Sequence, residues 1–268
     1  MNDLLAHPAV QGGVAPFVVA LVLVLVLQPF RLAGLAVAAA FVASMWLANS
    51  GLQLTPLTAL RKILLVGMAA PLVGILVDFA FKPTRLGSVL LAFIAGAVAL
   101  WVFWPIIVAK PPHEAWLRGG TVVAAAVLSV GIAQAGLAAD PVRSGAAGLA
   151  MGLGVGFAAI LGATLTYGIY GTAVGAASGA FLLPQMIRGK AGAAGATFIL
   201  PATLIAALVG GGAVLLAELQ WYCLALLALV PLAVRLPGPA SAPVWLQAVI
   251  FSVYGFAVAG IACWLAWP

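Results

Sequence analysis

The amino-acid sequence predicts an all-α integral membrane protein, folded as a polytopic bundle of about ten transmembrane helices. Hydrophobic residues make up 66% of the 268 residues and charged residues only 6%, against about 25% in soluble domains. The mean hydropathy of the chain is +1.27. Most apolar runs have about the length, roughly 20 residues, that an α-helix needs to cross a bilayer. These observations exclude a soluble globular domain.

Polar, proline-containing or glycine-rich breaks divide the apolar runs into helices. The first tract, residues 14–49, is too long for one helix, and Pro29, Phe30 and Arg31 at its middle predict a turn. Charged breaks at residues 82–85 and 110–114 are clear boundaries in the first half. The predicted helices cover residues 14–30, 32–50, 61–81, 86–109, 116–138, two helices within 145–185, and then 194–217, 221–234 and 245–267.

The stretch from Gly145 to Gln185 carries two ladders of glycines spaced by four residues. The first ladder is Gly148, Gly152 and Gly156, and the second is Gly171, Gly175 and Gly179. Residues four apart lie on one face of a helix, so each ladder forms a groove without side chains. Such grooves let helix backbones approach closely in lipid. With a short break at residues 162–166, the sequence predicts a tightly packed helical hairpin.

A stripe of polar residues lies beside the second glycine ladder. At about 100° per residue, Tyr167, Ser178 and Gln185 fall within about 20° of one another, and Tyr170 lies about 60° to one side. Hydrocarbon offers polar groups no partner, so this face should contact protein or water. Two interpretations are open: the stripe forms hydrogen bonds between helices, or it lines a substrate-binding site.

The two halves of the chain, residues 1–139 and 140–268, carry signs of an internal repeat. Corresponding residues are 129 or 130 positions apart: Arg61 with Lys190, Trp116 with Trp245, and Pro71 with Pro201. Because each half contains an odd number of helices, the second half would be inverted, as in many secondary transporters. The alternative is coincidence, since a chain with 17 prolines matches itself at many offsets.

Two prolines and one acid within predicted helices are candidates for a site inside the membrane. Pro71 and Pro201 each free the carbonyl four residues earlier, which either permits a packing kink or becomes a ligand for a cation or a substrate donor. An acid is costly to bury in a membrane helix, so we expect Asp78 to have a role. It is either a proton or cation site or the partner of Lys82, one turn along the helix.

Other classes of site find no support in the sequence. The net charge of +6 comes from Lys and Arg residues scattered between apolar runs, which is typical of loop anchors, so we expect no nucleic-acid partner. Cys223 and Cys263 lie within apolar runs, and the two histidines, His7 and His113, are too few for a metal cluster. We therefore expect no enzyme activity, no cofactor and no metal. Gln134 is expected to bond between helices.

The distribution of Lys and Arg predicts an orientation in the membrane. The positive-inside rule places the side richer in these residues in the cytoplasm, and both termini outside it. On the richer side lie seven residues, Arg31, Lys82, Arg85, Arg143, Arg188, Lys190 and Arg235, and on the other side lie four, Arg61, Lys62, Lys110 and Arg118.

The predicted layout, ten helices in fewer than 300 residues as two inverted halves, is similar to that of drug/metabolite-type carriers. The segment from Thr55 to Arg61 resembles a helix start in those carriers, although it opens the third helix here and the second helix there. The resemblance assigns no site residue in this chain.

We expect a bacterial, multi-pass protein of the cell inner membrane that acts as a secondary transporter of a small solute. Coupling to protons or a cation would run through Asp78. The alternative is a non-catalytic subunit that anchors or scaffolds a larger membrane complex, and the expected partners are the lipid bilayer and either copies of this chain or other membrane subunits. The candidate substrate-binding residues are Asp78, Tyr167, Tyr170, Ser178, Gln185, Pro71 and Pro201.

Overall fold

The computed structural model describes residues 7–49, 51, 55–80, 84–239 and 241–267. These residues form helices and connecting segments, with no strand among them. Their ten helical segments are α1 (Val10–Phe30), α2 (Leu35–Asn49), α3 (Ala59–Ala80), α4 (Arg85–Val108), α5 (Pro112–Gly136), α6 (Pro141–Gly162), α7 (Leu165–Arg188), α8 (Gly195–Leu216), α9 (Trp221–Ala233) and α10 (Val244–Ala266). The all-α membrane fold predicted from the sequence is confirmed.

Seven of these segments, α1, α3, α4, α5, α6, α8 and α10, are long and apolar enough to cross a bilayer. α2 and α9 are apolar but shorter than the roughly 20 residues of a full span. α7 has 24 residues, but its glycines, its one proline and its polar side chains make it less apolar than those seven segments. The structure therefore supports seven spans, and the count of ten spans stays a prediction.

The bundle is organised around α8, which is the most enclosed of the seven long apolar helices. Of the residues in an apolar 18-residue stretch of α8, 94% are buried, against 22% in the corresponding stretch of α1. Three consecutive glycines explain how so many neighbours fit around it, because successive residues point about 100° apart on a helix. Gly210 faces Leu224 of α9, Gly211 faces Val122 of α5, and Gly212 faces Tyr167 of α7.

The predicted glycine hairpin is confirmed, and it is the most extensive helix–helix contact among the described residues. A Cβ atom added at Gly152 of α6 would lie 2.7 Å from the Cα atom of Gly175 in α7. One added at Gly171 would lie 2.7 Å from the Cα atom of Gly156. The two ladders therefore face each other in antiparallel register, with backbone against backbone.

α3 and α8, which would be equivalent helices in the predicted repeat, pack against each other in opposite directions. Gly74 of α3 lies against Thr197 near the start of α8, with 2.6 Å between an added Cβ atom and the Cα atom of Thr197. Further along, Gly67 faces Ile205. An inverted relation between residues 1–139 and 140–268 is not tested by this contact and stays a prediction.

Candidate functional site

Asp78 of α3 caps the amino-terminal end of α8. Its Oδ1 atom accepts a hydrogen bond from the backbone N–H of Ala196 at 2.8 Å. Its Oδ2 atom accepts from the N–H of Thr197 at 2.8 Å and from the Thr197 hydroxyl at 2.6 Å. N–H groups in the first turn of a helix have no partner within the helix, and the helix dipole favours a negative charge there. Asp78 thus acts as an N-cap supplied from another helix.

The other N–H groups at the start of α8 are also satisfied. The N–H of Gly195 donates to the carbonyl of Ala138 at 3.2 Å, and that of Phe198 donates to the carbonyl of Ala194 at 3.3 Å. Gly195 has a left-handed φ of 60°, and a side chain at this position would collide with the Asp78 carboxylate. Both the backbone conformation and the cap therefore require glycine at this position.

The cap is a role for Asp78 that the sequence analysis missed. The hypothesis of an ion pair with Lys82 concerns a residue outside the described part of the chain and stays a prediction, as does the proton or cation site. A signal for the cap was present in the sequence. Residues 191–196 read AGAAGA, with no Ser, Thr, Asp or Asn to cap α8, so the acceptor had to come from elsewhere in the fold.

Asp78 also lines a cleft of about 430 Å³ where the ends of α3 and α5 meet the starts of α4 and α8. The amide oxygen of Gln134 is buried without a hydrogen-bond partner among the described residues. The predicted hydrogen bond between helices is therefore not made by the amide oxygen of Gln134. An unsatisfied buried acceptor of this kind costs about 1–3 kcal/mol. The polar residues of the lining are Asp78, Thr84, Arg85, Ser88 and Gln134.

The structure divides the predicted polar stripe of α7 between different neighbours. The Asn49 amide of α2 donates to the Tyr170 hydroxyl at 2.8 Å, which is the predicted bond between helices. Tyr167 lies against Gly212 of α8. Ser178 donates to the carbonyl of Val174 at 2.9 Å, within its own helix.

Gln185, the last residue of this stripe, is held by local backbone groups. Its amide nitrogen donates to the carbonyl of Phe181 at 3.0 Å, and its oxygen accepts from the N–H of Gly192 at 3.1 Å. None of the four stripe residues lines the cleft beside Asp78. A substrate-binding role for the stripe stays a prediction that this cleft does not support.

The two prolines lie in different local structures. Pro71 is buried within α3, which continues as an α-helix from Ala59 to Ala80. Pro201 is buried in a π-helical turn, Leu200–Leu204, inside α8. A π-helical turn is a usual way to accommodate a helix interruption, and such turns often mark functional sites. Neither proline lines the cleft beside Asp78, and their ligand role stays a prediction.

A second, smaller cleft of about 240 Å³ lies at the opposite end of α3, between the end of α2 and the start of α3. Arg61 lies in its wall, where its guanidinium donates to the carbonyl of Pro56 at 2.6 Å. Asn49, the partner of Tyr170, lines the same cleft. α3 therefore reaches a cleft at each of its two ends.

Among the described residues there is no group of three or more His, Cys, Asp or Glu side chains able to hold a metal ion. Comparisons with protein families, with curated proteins and with solved structures give no match.

Proposed function

We propose that the protein is a secondary carrier of a small polar solute, which binds in the cleft beside Asp78. The observation that carries this proposal is the presence of an acid, an arginine and a glutamine in the wall of one cleft: Asp78, Arg85 and Gln134. The amide oxygen of Gln134 is buried and has no hydrogen-bond partner among the described residues. Pockets for small molecules have volumes of roughly 300–1,000 Å³ and a few convergent polar groups. The cleft, at about 430 Å³, falls in this range.

The position of α3 suggests how access to the solute site would alternate. α3 lines one cleft with Val77 and Asp78 and the opposite one with Arg61 and Leu64. Between them lies Pro71, where a hydrogen bond of the helix is missing and bending is easier. A change in the angle of α3 would therefore widen one cleft and narrow the other, as alternating access requires.

Asp78 offers a way to couple this movement to a proton. As a carboxylate it accepts three hydrogen bonds from Ala196 and Thr197 and so ties α3 to α8. Protonation would convert part of its acceptor capacity into an O–H donor, which the N–H groups of α8 cannot accept. Proton binding would thus weaken the link between α3 and α8 and favour the movement of α3.

We further propose that all ten helical segments cross a bacterial inner membrane as two inverted halves. The weaker apolarity of α7 suits a helix shielded from lipid, because it packs against α1, α2, α6 and α8. Labelling of single cysteines in the α1–α2 and α2–α3 connections with an impermeant reagent tests whether the short helix α2 crosses the membrane, as this topology requires. Labelling of both from the same side of the membrane would contradict it.

The carrier function is tested in proteoliposomes carrying a pH gradient and a mixed panel of amino acids, sugars, nucleosides and carboxylates. We expect proton-driven accumulation of one solute class with the wild type. Asp78→Asn, which leaves an acceptor oxygen for α8 but removes the charge, should abolish the accumulation. Gln134→Leu should raise KM without loss of stability, because a leucine needs no partner. Accumulation of no solute, or full accumulation with Asp78→Asn, would contradict the proposal.

A second function, that of a non-catalytic scaffold subunit, is favoured by a different observation. Ser178, Gln185 and Asp78 are all bonded to backbone groups of the fold, as expected when polar residues only support packing. Purification in mild detergent distinguishes the two functions. Stoichiometric partner subunits favour the scaffold, and a homogeneous species of this chain alone favours the carrier.

A further inference from the structure

An apolar groove of about 540 Å³ lies between α4 and α5, adjacent to the cleft beside Asp78. The side chain of Phe93 on its wall is 66% exposed, so the groove opens on the outer surface of the bundle. In the membrane this surface faces lipid. The apolar lining consists of Val89, Ala92 and Phe93 from α4 and of Val127, Leu128, Gly131, Ile132 and Ala135 from α5.

Two arginines lie at one end of this groove. Arg85 is the first residue of α4, and Arg235 follows α9 and packs over Gly136 at the end of α5, where an added Cβ atom would lie 2.7 Å from its Cζ atom. Both side chains are exposed. Neither forms a hydrogen bond or an ion pair with another described residue.

A third arginine nearby, Arg143, differs from these two because it forms an ion pair and hydrogen bonds within the protein. It is paired with Asp140 at 3.1 Å and donates to the carbonyls of Val234 and Leu236 at 3.0 Å. Asp78 is the acid of the adjoining cleft, and its oxygens accept from α8. Among the described residues, the end of the groove therefore presents two positive charges without a hydrogen-bond or ion-pair partner, and the carboxylates of Asp78 and Asp140 already have partners.

The length of the groove suits one leaflet of a bilayer. The eight steps along the helix from Arg85 to Phe93 span about 12 Å at roughly 1.5 Å per residue, and half of the hydrocarbon core is about 15 Å thick. Basic pockets between transmembrane helices bind anionic lipid head groups. We infer that this groove binds an anionic phospholipid, with the phosphate between Arg85 and Arg235 and one acyl chain between α4 and α5. This inference does not depend on transport, although Arg85 also lies in the wall of the cleft beside Asp78.

Native mass spectrometry of the full chain, released from mixed micelles, tests the inference. The probes are phosphatidylglycerol and phosphatidylcholine with identical acyl chains. We expect wild type to retain phosphatidylglycerol preferentially. Arg85→Gln with Arg235→Gln should reduce this preference by about fivefold for each arginine. The matched control, Arg118→Gln with Lys190→Gln, removes the same charge away from the groove and should leave the preference unchanged.

A charge-keeping variant and a competition with the free head group distinguish lipid binding from misfolding and from binding of the head group alone. Arg85→Lys with Arg235→Lys keeps the charge and should keep most of the preference, which excludes misfolding as the cause of a loss. Glycerophosphoglycerol, the head group without acyl chains, should not displace the lipid. Equal retention of both lipids by wild type, equal losses in the double variant and its control, or displacement by the free head group would each overturn the inference.

Discussion

The two hairpins α6–α7 and α4–α5 are both antiparallel pairs of helices, but they are held together differently. In α6–α7 the backbones meet, as at Gly152 and Gly175. In α4–α5 the glycine contacts are with side chains, such as that of Gly96 with Val127. The first pair has a large buried face and anchors α8. The second leaves a groove of about 540 Å³ on the outer surface.

This difference shows what a glycine contributes in each setting. Where backbone faces backbone, neither partner can move aside, and the contact fixes the spacing of the helices. Where backbone faces the end of a side chain, the neighbour can adjust and the spacing is less constrained. The rigid pair supports the core, and the looser pair provides a surface that a ligand can enter. Of the four substitutions below, ordered by expected effect, three test this contrast and one tests the cap on α8.

The largest effect is expected for Gly152→Ala in α6. Its new Cβ atom would lie 2.7 Å from the Cα atom of Gly175, and only a backbone shift of α7 could relieve the overlap. Overpacking of this kind costs about 3 kcal/mol, visible as a large fall in the melting temperature in detergent. Gly179→Ala is the matched control, since its Cβ atom would lie at a comfortable 3.4 Å from Leu149. Equal melting temperatures for the two variants would contradict backbone contact.

Asp78→Ala should have the next largest effect, because it leaves the N–H groups of Ala196 and Thr197 without their acceptor. Loss of an N-cap costs about 0.5–2 kcal/mol, and we expect the upper end because two donors are affected. Asp78→Asn should cost less than Asp78→Ala. Chemical unfolding in detergent measures both values, and identical stability of the wild type and the alanine variant would argue against the cap.

Gly96→Ala in α4 sharpens the comparison between the hairpins. Its Cβ atom would lie 2.6 Å from Cγ2 of Val127, the end of a side chain rather than the backbone. The gain of about 1 kcal/mol in helix propensity opposes the cost of moving this side chain. We therefore expect a net change within about 1 kcal/mol of the wild type in the same melting assay. A loss as large as that of Gly152→Ala would mean that the two hairpins are equally rigid.

The sequence predicted the glycine hairpin because its signal is local and periodic. Spacing by four specifies a helix face, and two such faces joined by a short break have one simple way to pack. The helix boundaries followed from breaks in hydrophobicity and lie within about four residues of those observed, with the largest differences at the starts of α1, α5 and α6. These features depend on neighbours in the sequence.

The clefts and the cap could not be predicted in the same way, because they depend on helices distant in the sequence. Asp78 lies 118 residues from the N–H group of Ala196 that it caps. Arg235 reaches Gly136 only because α9 packs beside α5. A periodicity argument places a residue on a helix face but does not identify the helix opposite. For the same reason the polar stripe of α7, correctly placed on buried positions, was not resolved into its separate partners.

The smallest effect is expected for Tyr170→Phe, which removes a single hydrogen bond between α7 and α2. Tyr170 is 1% exposed, its ring packs edge-on against Phe41 at 6.1 Å, and its hydroxyl accepts from Asn49 at 2.8 Å. Phenylalanine keeps the ring contact, and the Asn49 amide keeps its bond to the carbonyl of Met45 at 2.8 Å. Hydrogen bonds between membrane helices contribute about 0.6 kcal/mol on average, so the fall in melting temperature should be small but measurable.

Tyr167→Phe, one turn away and facing Gly212, is the control and should leave the melting temperature unchanged. If Tyr170→Phe destabilises the protein as much as Gly152→Ala, polar contacts rather than glycine contacts hold α7 in the bundle, and the contrast between the hairpins loses its basis.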